Sequence, residues 1–174
     1  MKSVEEHRRG GVTDVRCGVV TVSTSRAVAA SSAHVNDESG DLACDLIRGR
    51  GFRVTFRKLV ADDVVAIRGA LIDALSSGMA DAVIFVGGTG VAPSDVTPEA
   101  IEPLIDRFLP GFGELFRSKS SAEIGSAAIM SRASAGLVEG VAVACLPGSP
   151  DGVRLGLGIL LDELPHLLSI ARSA

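Results

Sequence analysis

A chain of 174 residues, 47% of them apolar, has the length and the core material for one compact domain. Its formal net charge of −4 lacks the basic excess of a nucleic-acid-binding surface, and with no Trp, no Tyr and 6 Phe it has no aromatic platform for stacking bases. No apolar run reaches the roughly 18 residues that a membrane span needs; the longest, residues 153–161, carries Arg154, Gly156 and Gly158 and reads as buried helix.

Residues 1–14 hold Lys2, Glu5, Glu6, His7, Arg8 and Arg9 without an apolar segment, so they read as a flexible N-terminal tail rather than a secretory signal, ahead of a single domain over residues 15–174. Residues 16–23 are a β-branched run ending in hydroxyls, a buried first strand. Residues 24–39 are polar and irregular. Asp37, Ser39 and Asp41 supply the cap and early acids of a helix over 41–50, which Gly51 stops. Phe52, Val54 and Phe56 alternate with charges in a second strand over 52–59. Asp62 and Asp63 lead into a helix over 64–76 that ends at Gly78. Residues 82–86 are wholly apolar and run into glycines, the clearest strand in the chain. This alternation of strand and helix predicts βαβ crossovers and a parallel sheet.

Beyond it, residues 98–109 and 111–121 read as helices, and 131–146 as a β-hairpin turning at Glu139-Gly140. A tight turn at 147–150 precedes two helices over 151–161 and 164–172. Cys17, Cys44 and Cys145 lie far apart in apolar surroundings without metal-ligand spacing, which predicts small core thiols and a reducing, cytoplasmic setting. His7, His34 and His166 have no partner pattern.

The chemistry concentrates after the central strand, in Gly87-Gly88-Thr89-Gly90-Val91-Ala92-Pro93-Ser94-Asp95-Val96-Thr97-Pro98-Glu99-Ala100. Glycines at the carboxyl end of a parallel strand let the backbone approach a ligand and turn N–H groups toward an anion. Four letters alone are equally a tight strand-to-helix turn. The loop has neither the Gly-Lys-Ser/Thr end of a Walker motif nor dinucleotide-fold spacing. The longer string, however, resembles the Gly-Gly-Thr-Gly, spacer, Asp-x-Thr-x-Glu-Ala pattern of the molybdopterin adenylyltransferase family, of Mog and MoaB type. Four further segments agree in order: Asp37-x-Ser39-Gly40, Pro110-Gly111-Phe112-Gly113-Glu114, Ser131-Arg132-Ala133 and Leu146-Pro147-Gly148-Ser149-Pro150. The resemblance covers about residues 16–172.

It implies a three-layer αβα fold with a mostly parallel sheet plus a β-hairpin. The implied activity is Mg²⁺-dependent transfer of AMP from ATP to the terminal phosphate of molybdopterin, releasing pyrophosphate. The attacking phosphate is already an anion, so the task is to offset the repulsion of two polyanions and align them. Asp62 and Asp95 are the implied metal-binding catalytic carboxylates. Either Asp62 or Asp63 is expected to serve only as a helix cap, and residue order leaves open which meets the metal. Thr24, Ser25, Gly87, Gly88, Thr89, Gly90, Pro147, Gly148 and Ser149 are the implied contacts near the nucleotide, and Glu114, Ser131 and Arg132 those of the pterin and phosphate region. Their bland counterparts are turn closure, a first-turn acid and a surface ion pair. The resemblance also implies a homotrimer and contact with a molybdenum insertase. Two rival readings are a MoaB-type paralogue that binds molybdopterin or nucleotide without catalysis, and a hydrolase in which water replaces the pterin phosphate.

Overall fold

The computed structural model describes residues 14–30 and 36–173. In chain order come β1 (Arg16–Val22), α1 (Thr24–Ala30), α2 (Glu38–Gly49), β2 (Arg53–Val60), α3 (Val64–Ser77) and β3 (Ala82–Val86). There follow α4 (Thr97–Ile101), a 3-10 turn (Glu102–Leu104), β4 (Arg107–Phe108), α5 (Pro110–Ile124) and a 3-10 stretch (Gly125–Met130). The hairpin of β5 (Ser134–Val138) and β6 (Val141–Leu146) and the long α6 (Pro150–Arg172) complete the chain. The tail and His34 readings fall on residues 1–13 and 31–35, outside the described residues, except that Asp14 accepts hydrogen bonds from Arg53 at 2.7 and 2.5 Å.

One six-stranded sheet runs in the order β2-β1-β3-β6-β5-β4. The pairs β1–β2, β1–β3 and β3–β6 are parallel, and β5 joins β6 and β4 antiparallel. Two-residue periodicity sends alternate side chains to opposite faces. Val19, Ile84, Ala144 and Leu146 face a layer made by α2, α5 and α6, through Ile47, Phe116, Leu157 and Leu164. Val20, Val83, Phe85 and Val143 face α3 and α4, through Ile67, Leu71 and Ile101. The three-layer mixed α/β arrangement is the one the resemblance implied.

Three segments differ from the sequence expectation. The stretch after β1 is not wholly irregular, because residues 24–30 form α1. Residues 98–109 are not one helix: Pro103 lacks the N–H a helix needs, the backbone tightens into the 3-10 turn, and Arg107 and Phe108 instead pair with Leu137 and Gly136 at the sheet edge. Residues 150–172 are one helix although Pro165 lies inside it. Leu157, Leu160, Leu161, Leu164 and Leu168 form one buried stripe on both sides of the proline, and that burial outweighs the missing backbone bond.

The hairpin turns where expected: Glu139 and Gly140 both have positive φ, 50° and 79°, as a tight turn between right-twisted strands requires. Cys17, Cys44 and Cys145 are free and buried. Burial pushes the Cys17 and Cys145 thiols up to about 12, so both are inert core groups.

Candidate functional site

Strand register builds the site. Val60 pairs with Val22, Thr21 with Val86, and Val86 with Leu146, so the carboxyl ends of β2, β1, β3 and β6 lie in a row. The segments that leave them therefore share one rim of the sheet: Asp62, Ser23 to Arg26, Gly87 to Asp95, and Pro147 to Ser149. The helix following β1 along the chain and packing on the sheet, α2, covers one face, while α4 after β3 covers the other. That divergence opens the crevice in which open α/β sheets bind ligands.

A cleft of about 530 Å³ occupies this crevice. Ser25, Arg26, Asp62, Gly87, Gly88, Thr89, Gly90, Asp95, Ser131, Pro147, Gly148 and Ser149 line it, with Val22 and Ser23. A second cleft of about 510 Å³ adjoins it at Ser131 and is lined by Glu99, Glu102, Phe108, Glu114, Arg117, Arg132 and others.

The glycine loop is held by its carbonyls. Gly87 O accepts from Thr97 Oγ1 at 2.8 Å, Gly88 O from Thr97 N at 3.0 Å, Thr89 O from Arg132 N at 3.2 Å, and Gly90 O from Arg132 Nε at 2.9 Å. In a trans peptide the N–H points opposite to the carbonyl. The amides of Gly88, Thr89, Gly90 and Val91 are thus turned away from those anchors, and they have no acceptor among the described residues. Buried Thr89 likewise adds a hydroxyl with no partner among them. Such a run of N–H groups has the form that cradles an anion in other proteins. Glycine is required where the loop begins: Gly87 and Gly88 have φ of 108° and 65°, and a Cβ would stand 2.4 Å from Val22 O at the first and 2.4 Å from Thr97 Oγ1 at the second.

The two adjacent acids divide their tasks. Asp63 caps α3, its carboxylate accepting from Ala66 N at 2.9 Å. Asp62 lines the cleft. Its Oδ2 accepts from Thr24 N at 2.7 Å and Thr24 Oγ1 at 3.0 Å, and its own N–H donates back to Thr24 Oγ1 at 3.0 Å. Oδ1 is left beside Gly88. Thr24 itself does not line the cleft; its polar groups are spent on Asp62. Asp95 lies across the loop with Oδ2 against Gly90, accepting from Ala92 N at 3.1 Å. The geometry thus brings Asp62, Asp95 and the amides of the loop to one concave surface.

Arg132 lines the second cleft and from there holds the loop of the first: besides Gly90 O it donates to Asp95 O at 2.8 Å and pairs with Glu99, whose carboxyl it keeps below the usual carboxylate range. Glu114 and Arg132 belong to the second cleft only. Around the first, α2 is tied in by Ser39 Oγ, which donates to Gly148 O at 2.7 Å. Buried Asp37 accepts from Thr21 Oγ1 at 2.6 Å, Gly40 N at 3.2 Å and Arg57 at 2.7 Å. Burial alone raises that carboxyl, but the hydrogen bonds from Arg57, Thr21 and Gly40 outweigh it and hold Asp37 below its ordinary value.

Sequence reasoning missed Arg26, Ser23 and Val22 in the first cleft and Glu99, Phe108 and Arg117 in the second. Arg26 lies four positions past the end of β1 in a stretch read as irregular. Its signal was a lone cation next to the carboxyl end of a central strand.

Fold and crevice together define an open α/β domain with a glycine-lined cleft at the carboxyl rim of its parallel strands. The sequence profile of the probable molybdopterin binding domain matches residues 18–166, and the chain belongs to that family. It is 40% identical over 168 residues to molybdenum cofactor biosynthesis protein B of Bacillus subtilis, covering 95% of each chain. It is also 40% identical over 173 residues to a molybdopterin adenylyltransferase of Pyrococcus furiosus, covering 97% of this chain and 98% of that one. The crystal structure of tungsten cofactor synthesizing protein MoaB from Pyrococcus furiosus superposes with a TM-score of 0.83 at 38% identity, covering 93% of this chain and 99% of that one.

Proposed function

We propose that the protein transfers AMP from ATP to the terminal phosphate of molybdopterin. A phosphate oxygen of the pterin attacks the α-phosphorus, the new P–O–P bond forms, the α–β anhydride bond breaks, and pyrophosphate leaves. In this reading the nucleotide phosphates lie in the cleft of the glycine loop and the pterin in the adjoining cleft, where Glu114 accepts its ring N–H donors. The observation that carries it is the meeting of Asp62, Asp95 and the N–H groups of Gly88, Thr89 and Gly90, which have no acceptor among the described residues, at one crevice.

Among the described residues no group of three or more His, Cys, Asp and Glu gathers as a metal nest. Two carboxylates suit Mg²⁺, which characteristically takes one or two protein carboxylates and completes its shell with phosphate and water. Asp62, through the oxygen Thr24 leaves free, and Asp95 would hold it, and the ion would neutralise phosphate charge. The amides of the loop orient the phosphates, Arg132 keeps the loop in place, and Ser131 stands where the two substrates adjoin. No side chain has to remove a proton, because the nucleophile enters ionised.

The same reading takes the protein as a cytoplasmic homotrimer of single-domain chains that passes product to a molybdenum insertase. A solution mass equal to one chain would reject the trimer.

The test is turnover of purified protein with molybdopterin, ATP and Mg²⁺, scored for adenylylated pterin and pyrophosphate. Asp62→Asn and Asp95→Asn should each lower kcat at least about a hundredfold while ATP still binds. Near-wild-type turnover in both variants sinks the carboxylate assignment. Binding of both substrates by the wild type without transfer selects the binding-only paralogue instead.

A further inference from the structure

The cleft that faces a polyphosphate has few positive charges left to give. Arg132 donates to Gly90 O, Asp95 O and Glu99. Arg57 donates to Asp37 and Asp41. Of the side chains lining the first cleft, the cation is Arg26, set against Asp62 and Asp95.

Arg26 sits in α1, with 36% of its side chain exposed, and its near charge partner is buried Asp37, Nη1 to Oδ1, at 3.6 Å. That separation is too long for a hydrogen bond. The oxygen it faces already accepts from Gly40 N, and the other accepts from Thr21 and Arg57. Asp37 therefore supplies attraction without consuming the donors of Arg26. The guanidinium is held at the rim of the cleft with no hydrogen-bond acceptor among the described residues. A planar fork of unspent N–H groups matches two oxygens of a phosphate.

Resting on the function proposed above, we infer that Arg26 is a phosphate-binding residue of the nucleotide site: it donates to phosphoryl oxygens of the bound nucleoside triphosphate from the side opposite the glycine loop. Asp37 is its positioning partner, kept ionised and immobile by Arg57 and Thr21. The anion is thus gripped between a backbone cradle and one side-chain cation. The cation comes from a helix the sequence does not announce.

Calorimetric titration of ATP, inorganic pyrophosphate and adenosine into the full chain, with and without Mg²⁺, tests the assignment. Arg26→Gln keeps the aliphatic stem and removes the charge. It should weaken ATP and pyrophosphate about tenfold or more, the usual scale for losing a charge-assisted contact, and leave adenosine unchanged. Arg26→Lys should recover part of the loss, and the salt dependence of ATP binding should flatten in the Gln variant. Equal ATP and pyrophosphate affinity in wild type and Arg26→Gln overturns this inference and leaves the proposed function standing. A wild type that binds neither ATP nor pyrophosphate overturns both. Equal losses for adenosine and ATP also overturn it, since they report a deformed cleft rather than a phosphate contact.

Discussion

At the scale of single residues, some polar groups of the cleft are spent on one another, while others have no partner among the described residues. The carbonyls of the glycine loop are satisfied by Thr97 and Arg132, and the opposite amides have no acceptor among the described residues. Thr24 does the same for Asp62. Its N–H and hydroxyl occupy Oδ2, and the carboxylate presents Oδ1. A metal-binding carboxylate that is free to rotate loses orientation as well as affinity. Thr24→Val keeps the shape and the backbone N–H but removes the hydroxyl, so Mn²⁺ affinity, read by electron paramagnetic resonance in the presence of ATP, should fall about tenfold. Thermal stability should change little, because Thr24 is exposed. Unaltered Mn²⁺ affinity would mean that the hydroxyl does not orient the acid.

Elements decide which of two similar side chains faces the cleft. Asp63 has extended backbone at the start of α3 and closes its first turn, whereas Asp62 falls one residue earlier on the cleft side. Asp63→Ala should lower unfolding stability by about 1 kcal/mol, the scale of a lost N-cap, and leave turnover near wild type. A large loss of turnover with unchanged stability would exchange the roles of the two acids. Legibility varied by element for physical reasons. Strand 82–86 was plain because five apolar residues buried on both faces allow little else. The break at Pro103 and the continuity through Pro165 were not, since a proline removes one donor and crowds the preceding turn, and the surrounding burial determines whether the helix survives that cost. α1 was invisible because Thr24 to Ala30 carries no apolar stripe, and its place comes from Asp62 and from Ser23 O, which accepts from Ala27 N at 2.9 Å.

Across the whole molecule the two rims of the sheet have different tasks. At the amino rim, Asp81 accepts from Arg16 N at 2.8 Å and from the guanidinium groups of Arg16 and Arg172, tying β1, β3 and the end of α6 together. Burial opposes ionisation there, but these bonds win and lower the Asp81 carboxyl to about 2 from an ordinary 3.8. A depressed carboxyl stabilises the fold above its unfolded pKa, and the contribution fades as pH falls from about 4 to about 2. The contribution is at most about 2 kcal/mol, since both arginines are partly exposed. In urea unfolding at pH 7, 5 and 3, Asp81→Asn should be less stable than wild type at the two higher values, and the gap should narrow at pH 3. A gap independent of pH would place the stabilisation elsewhere.

The sequence by itself determined the alternation of strands and helices, the position of the glycine loop after the central strand and the ordered motifs that mark the family. Those are local properties: periodicity, backbone permissiveness and the spacing of residue types. Only the tertiary structure decided that Asp62 faces the cleft while Asp63 caps a helix, that Thr24 serves Asp62, and that Arg26 stands at the rim with no hydrogen-bond acceptor among the described residues. These depend on parallel register and on hydrogen bonds between residues far apart in the chain, such as Thr24 with Asp62 and Gly90 with Arg132. No local pattern encodes them, because the partner that determines how a polar group points arrives only when the sheet is assembled.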